Sequence, residues 1–298
     1  MTDRILDLSE RPASLSVRNS LLVIRFGEEE PVTVPLCELA VVITSHPQIS
    51  YTHAVLSGLA GAGAAFIACD EKHMPAAMLL PLVTHSLQTE RFATQAKVPL
   101  PTRKRMWQQI VREKLLAQAR FLTERTGNDR GLAMMATRVR SGDPQNLEAQ
   151  AARIYWQALF GDIHFRRDPE SGESLNPCLN YGYAILRAIV ARALCAAGLH
   201  PSLGIHHHNR YNTFCLADDF MEPFRPVVDR AVAHLKDERG EEVSLDRESK
   251  RRILETILLR YTVDEESRTL FDWLSRAAFS LAAAIIEQKH QKLELPRI

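Results

Sequence analysis

The chain has 298 residues, of which 46% are apolar and 24% charged, a globular composition that excludes a disordered tail, a collagen-like repeat or a disulfide-stapled miniprotein. At ~150 residues per domain the length suggests about two domains, and 13 glycines with 15 prolines leave no low-complexity linker. Lys and Arg number 37 against 36 Asp and Glu, so the molecule as a whole lacks the basic signature of a nucleic-acid binder, and only a local patch can supply one.

The start, Met1-Thr2-Asp3-Arg4, has no charged-then-apolar signal layout. Cys37, Cys69, Cys178, Cys195 and Cys215 are odd in number and never spaced as C-x-x-C, which argues for reduced thiols and a cytoplasmic protein. Up to about Val83 the pattern predicts short strands over residues 5–8, 14–18, 21–26, 32–34 and 39–44, bounded by Pro, Asn-Ser or Gly and read as hairpins of a small sheet. Residues 51–62 carry Val55, Leu56 and Leu59 at helical spacing, and 64–68 and 76–80 return to strand. No Asp, Glu, Lys or Arg occurs between Leu39 and Cys69. The breaks at Ser45-His46-Pro47-Gln48 and Gly61-Ala62-Gly63 favour strand, helix and strand over a membrane span. Gly58-x-x-Gly61-x-Gly63 lacks the order of a dinucleotide fingerprint and reads as a helix-to-strand turn.

After about Thr84 the texture changes to three-and-four spacing, over 106–115, 147–154, 179–199, 253–261 and 270–289. The expected fold is therefore α+β, a small N-terminal β-sheet domain (residues 1–84) followed by a larger all-α C-terminal domain (residues 85–298). Between Arg91 and Arg125, nine basic residues stand against Glu113 and Glu124. Such a stretch suits DNA phosphates, with Trp107 and Phe121 available for stacking, or else it is a solvated helix face.

The densest chemistry is Gly204-Ile205-His206-His207-His208-Asn209-Arg210, followed by Asp218-Asp219-Phe220-Met221-Glu222-Pro223-Phe224-Arg225-Pro226. Imidazole nitrogen and carboxylate oxygen both ligate Mg²⁺ or Mn²⁺, so the two clusters can converge on one cation. Three adjacent histidines cannot all reach one ion, and the alternative is a polar loop with Asp218 or Asp219 as a helix cap. Pro223 and Pro226 argue that one helix ends and another begins in this stretch. Upstream, Glu148, Ala152 and Tyr155 share a helix face suited to a ligand pocket, although a glutamate in a first turn is also simply favourable to the helix dipole.

Taken together and in order, Glu148 in E-x-x-x-x-R-x-Y-W, Leu179-Asn180-Tyr181-Gly182-Tyr183, Gly204-x-x-His207 and Asp218-x-x-x-Glu222-Pro-Phe-Arg-Pro give the chain a resemblance to the CRISPR-associated integrases of the Cas1 family. The likeness covers nearly the whole chain, and the wording around His207 and Glu222 is most similar to the type II branch. The resemblance implies a metal-dependent endonuclease and integrase that inserts short DNA fragments into a CRISPR array. It implies a catalytic Mg²⁺ or Mn²⁺ site made by Glu148, His207 and Glu222, with Asp218 and Asp219 behind them or as supplementary ligands. It also implies double-stranded DNA as substrate, a homodimer formed through the β-rich domain, a small second Cas protein, Cas2, and a link to the type II effector nuclease. Arg225 and the basic stretch would meet phosphates, and Tyr155 would donate to a phosphate oxygen. A nuclease that hydrolyses with the same ligands, and a DNA-binding scaffold without catalysis, are the rival readings.

Overall fold

The computed structural model describes residues 4–71, 75–81, 85–168, 170–172 and 175–298. The readings made on the first three residues and on a boundary at Thr84 therefore lie outside the described residues.

Eight strands and one helix occupy the N-terminal part: β1 (Arg4–Leu8), β2 (Ser14–Arg18), β3 (Leu21–Arg25), β4 (Val32–Pro35), β5 (Leu39–Thr44), β6 (Ser50–Tyr51), α1 (His53–Gly61), β7 (Ala65–Cys69) and β8 (Pro75–Leu79). They form two four-stranded sheets, ordered β1-β5-β7-β8 and β4-β3-β2-β6. β2 and β3 make the expected hairpin, turning through Asn19 and Ser20, both at positive φ. β1 does not join it. It runs parallel to β5 in the other sheet, an arrangement that strand spacing alone does not reveal.

β5 explains the charge-free stretch, because all six of its residues are buried. Val41 and Ile43, with Ala65 and Ile67 of β7, turn toward the helices, while Leu39, Val42 and Phe66 turn toward the second sheet. Each face of the sheet thus serves a separate apolar core, the situation that gives a continuous hydrophobic run rather than alternation.

The rest is mostly helical: α2 (Gln88–Ala96), α3 (Leu100–Thr126), α4 (Leu132–Arg138), α5 (Leu147–Phe160), α6 (Asn176–Ala196), α7 (Cys215–Met221), α8 (Arg225–Arg239), α9 (Arg247–Ile257) and α10 (Leu270–Ile286). α6 is the central helix, packed against α7, α8, α9, α10 and the sheet. α3 begins after Pro99 and ends at left-handed Gly127, and it lies across α4, α5, α8 and a short 3-10 turn, Glu222–Phe224. One element departs from the all-α expectation. Residues 260–269 form an antiparallel hairpin of β9 (Arg260–Val263) and β10 (Glu266–Thr269), which turns at Asp264 and Glu265 with positive φ and ends the helix predicted to run through Tyr261.

None of the five cysteines forms a disulfide, and among the described residues no helix is long and apolar enough to cross a membrane.

Gly182 lets α6 and α8 approach. A Cβ there would lie 2.4 Å from Val228 Cγ1 and 3.2 Å from Ile253 Cγ2. Alanine is the better helix former by ~1 kcal/mol, but overpacking a filled core costs about 1–3 kcal/mol. Gly182→Ala is accordingly expected to lower the unfolding free energy in a urea titration, and a neutral or stabilising result would show that α8 can retreat.

Candidate metal centre

Three elements distant in sequence meet around Lys114. α5 is started by Asp143, whose carboxylate accepts from the backbone N–H groups of Leu147 and Glu148, each at 3.0 Å, fixing Glu148 in the first turn. Pro223 cannot continue the hydrogen bonding of α7, so the chain tightens into the 3-10 turn that begins at Glu222. Lys114 reaches from α3 to both: its ammonium is 2.6 Å from Glu148 Oε1 and 2.6 Å from Glu222 Oε2. Arg225 holds the other oxygen of Glu222, Oε1, at 2.9 Å.

Burial alone would lower the Lys114 pKa, but Glu222 and Glu148 more than offset it and keep the ammonium charged above its ordinary value. Burial likewise pushes Glu222 up, and Arg225 and Lys114 outweigh it, holding this carboxylate below the ordinary range.

The histidine loop is organised by Asp219, which is fully buried. Its Oδ2 accepts from the N–H groups of Ile205 at 2.6 Å and His206 at 2.8 Å, and its Oδ1 lies 2.5 Å from His207 Nδ1. That bond raises the His207 pKa against the effect of burial, with Glu222 and Glu148 adding in the same direction. It also fixes the ring so that Nε2 is the nitrogen left to a ligand. Gly204 is required by the tightness of this loop, since a Cβ would stand 2.3 Å from the His207 carbonyl oxygen. His206 lies flat on Trp107, with centroids 4.3 Å apart and planes at 2°. His208 Nε2 is 3.2 Å from Arg103 Nη1.

Among the described residues, no group of three or more His, Cys, Asp or Glu side chains is placed to hold a metal ion. The structure brings Glu148 and Glu222 together through Lys114, and sets His207 within their electrostatic reach. These residues fit a hard divalent cation on two counts. Two carboxylates and an imidazole are a donor set for Mg²⁺ or Mn²⁺. Glu222 Oε2 is buried and, although 2.6 Å from the ammonium, lacks the angle of a hydrogen bond and has no other partner among the described residues.

Behind Glu222 lies a second buried carboxylate, Asp229, which accepts from Tyr155 Oη at 2.8 Å and from Tyr183 Oη. Burial raises its pKa to about 6. A cleft of about 730 Å³ opens beside it, lined by Lys114, Gln118, Ala152, Trp156, Arg167 and Arg225 among others.

The family described as CRISPR associated protein Cas1 matches residues 6–257. A protein of Neisseria meningitidis serogroup C (strain 8013), named CRISPR-associated endonuclease Cas1, is 37% identical over 284 residues, covering 94% of this chain and 91% of its own. The chain belongs to the Cas1 family. The fold is similar to a casposase bound to integration product, with a TM-score of 0.78 at 20% identity over 96% of this chain and 91% of that one. It is similar also to a Cas6-RT-Cas1–Cas2 complex, with a TM-score of 0.77 at 18% identity over 99% of this chain and 36% of that one.

In this Cas1 chain several sequence expectations change. Tyr155 is fully buried on Asp229 and presents no hydroxyl to a phosphate. Trp107 and Phe121 are core residues, 1% and 3% exposed, so neither can stack on a base. Asp218 turns to Arg187 at 2.6 Å and Asn212 at 2.7 Å, which makes it a brace for the loop rather than a ligand. The basic stretch divides: Lys114 points inward, Arg120 pairs with Glu113, Arg125 with Asp237, Arg91 donates to the Ala197 carbonyl and Arg112 to the Val139 carbonyl, whereas Lys97, Lys104 and Arg105 remain exposed. Lys114, Gln118 and Asp229 escaped the sequence reading. For the first two the signal was a lysine and a glutamine on the apolar stripe of α3 that Trp107, Ile110, Val111, Leu115 and Leu122 define.

Asp229 supplies a test of the buried network. With its folded pKa near 6 against an ordinary value of 3.8, the folded chain holds a proton that the unfolded chain has released, so its contribution to stability declines as pH rises from about 4 to about 6. Thermal melts across that interval should show the wild type losing Tm relative to Asp229→Asn; parallel slopes for the two proteins would contradict the raised pKa.

Proposed function

We propose that this Cas1 protein is a divalent-metal-dependent DNA integrase and endonuclease that inserts short DNA fragments into a CRISPR array. In this reading a 3′-hydroxyl of the incoming fragment attacks a phosphodiester at the edge of a repeat. A P–O bond to the fragment forms, the bond to the repeat's 3′ oxygen breaks, and the departing oxygen takes up a proton, so no high-energy cofactor is consumed. Glu148, His207 and Glu222 would hold one Mg²⁺ or Mn²⁺, which when bound lowers the pKa of the reacting hydroxyl and offsets charge on the pentacovalent phosphorus.

The observation that carries this reading is the pairing of Glu148 and Glu222, from α5 and the turn after α7, on a single cation. Asp219 positions the His207 ring. Arg225 holds Glu222 and borders the cleft, where its guanidinium can also receive a phosphate oxygen. The exposed Lys104 and Arg105 on α3 offer a positive approach for the duplex.

The partners proposed are double-stranded DNA, a second copy of the chain docked through the β-rich part, Cas2, and the type II effector nuclease, in the cytoplasm of a prokaryote. Membership of the Cas1 family supports DNA and Cas2, and open edges at β1, β8, β4 and β6 are surfaces on which a second copy can build.

Incubation of labelled duplex bearing free 3′-hydroxyls with a repeat-containing supercoiled plasmid, Cas2 and Mn²⁺ is expected to yield labelled plasmid. Glu148→Ala and Glu222→Ala should each reduce that yield at least about a hundredfold. Cut but unjoined DNA would replace the integrase with a hydrolytic nuclease, and joining that survives EDTA or both substitutions would remove the metal mechanism.

A further inference from the structure

Glu148, Glu222, Lys114 and Arg225 form a cluster with no net charge. A divalent cation added to it would leave an excess of two positive charges beside the buried Lys114 and Glu222, where Coulomb terms at short range are large. Relief requires one resident cation to give up its hold on the carboxylates. Arg225 is engaged with Glu222 Oε1, whereas Lys114 draws on one oxygen of each carboxylate, including the buried Oε2 that no hydrogen bond satisfies. Lys114 and a divalent ion therefore compete for the same two groups.

The structure also holds a second seat for the ammonium. Gln118 is 3% exposed, and its Oε1 is buried with no hydrogen-bond partner among the described residues. A buried acceptor left unpaired is costly, and this one sits four residues from Lys114, on the same face of α3 and on the same cleft.

We propose that Lys114 is a displaceable counter-ion of the metal site, which neutralises Glu148 and Glu222 and yields them to the divalent cation by swinging its ammonium onto Gln118 Oε1. This deepens the proposed function and rests on the reading of Glu148, His207 and Glu222 as ligands. A lysine suits the task, since its charge rides on a flexible four-carbon stem, whereas the planar fork of an arginine would stay locked on the carboxylates. In its second seat the charge stays in the cleft beside Arg225, positioned for a DNA phosphate, so cation binding and substrate binding reinforce each other.

Calorimetric titration of the full chain with Mn²⁺ tests this without reference to activity. Lys114→Met keeps the aliphatic stem and should bind Mn²⁺ about tenfold more tightly than the wild type. The rise in Tm on adding Mn²⁺ should be correspondingly larger. Gln118→Met, which removes the second seat, should bind several-fold more weakly, by roughly the cost of leaving the displaced charge unpaired. Should Lys114→Met fold poorly, Lys114→Gln serves for the same comparison. Equal or weaker Mn²⁺ binding in the Lys114 variants, with Glu148→Ala and Glu222→Ala abolishing it, overturns the counter-ion and leaves the ligands in place. Tighter binding by Lys114→Met with Gln118→Met unchanged upholds displacement and removes Gln118 as the receiving group. Mn²⁺ binding indifferent to Glu148→Ala and Glu222→Ala sinks the ligand reading itself, and the counter-ion with it.

Discussion

The contact on which the functional half of this molecule depends is the ammonium of Lys114 between Glu148 and Glu222. Two carboxylates this close and this sheltered repel each other, and deleting one charge from a buried ionic set costs about 3–5 kcal/mol. Lys114, with Arg225 behind it, turns that repulsion into attachment. Because the three groups come from α3, α5 and the turn after α7, the electrostatic contact also fixes how those segments cross. The helices are packed by their apolar faces, but their register at the site is set by charge.

Around that contact the polar groups are arranged in two tiers with different tasks. Asp219 gathers three neighbouring residues of the histidine loop and aims one imidazole, while Trp107 supports the ring beside it. Asp229 binds α5 to α6 and α8 through two tyrosine hydroxyls. Both aspartates are completely buried. Asp229 is pushed upward by burial, and it touches no formal charge directly. The tyrosines secure its position without neutralising it.

Much of the architecture was legible from the sequence because hydrophobic periodicity records burial. The strands at 14–18, 21–25 and 39–44, the first helix and the long C-terminal helices all announced themselves in this way. The motifs around Glu148, His207 and Glu222 were equally plain as a resemblance. What stayed hidden depends on contacts between distant segments. Nothing local says that β1 leaves its neighbour β2 for β5, or that the helical pattern read through Tyr261 stops at Ile257 and gives way to a hairpin turning at 264 and 265. The same limit produced the misreading of the basic stretch. Counting charges cannot separate an arginine bound to a carbonyl across the fold from one offered to solvent, nor a lysine turned into an ionic core from one on a surface. Tyr155 was placed on the right helix and given the wrong neighbour, since only the fold supplies Asp229.

The sheet that carries β5 has a further meaning for how the molecule behaves under load. Its two faces belong to different cores, so it is a wall shared by the strand-rich part and by α6. A shared wall cannot be removed from one room alone. Cutting the chain after β8 would strip α6 of the Val41, Ile43, Ala65 and Ile67 surface and leave an apolar flank in water. A force applied to the outer strands is likewise passed through a close-packed layer into the helix that bears Tyr183, one of the two groups holding Asp229. The strand-rich part is therefore mechanically continuous with the polar core behind the carboxylates, and rigidity at one end is available to the other.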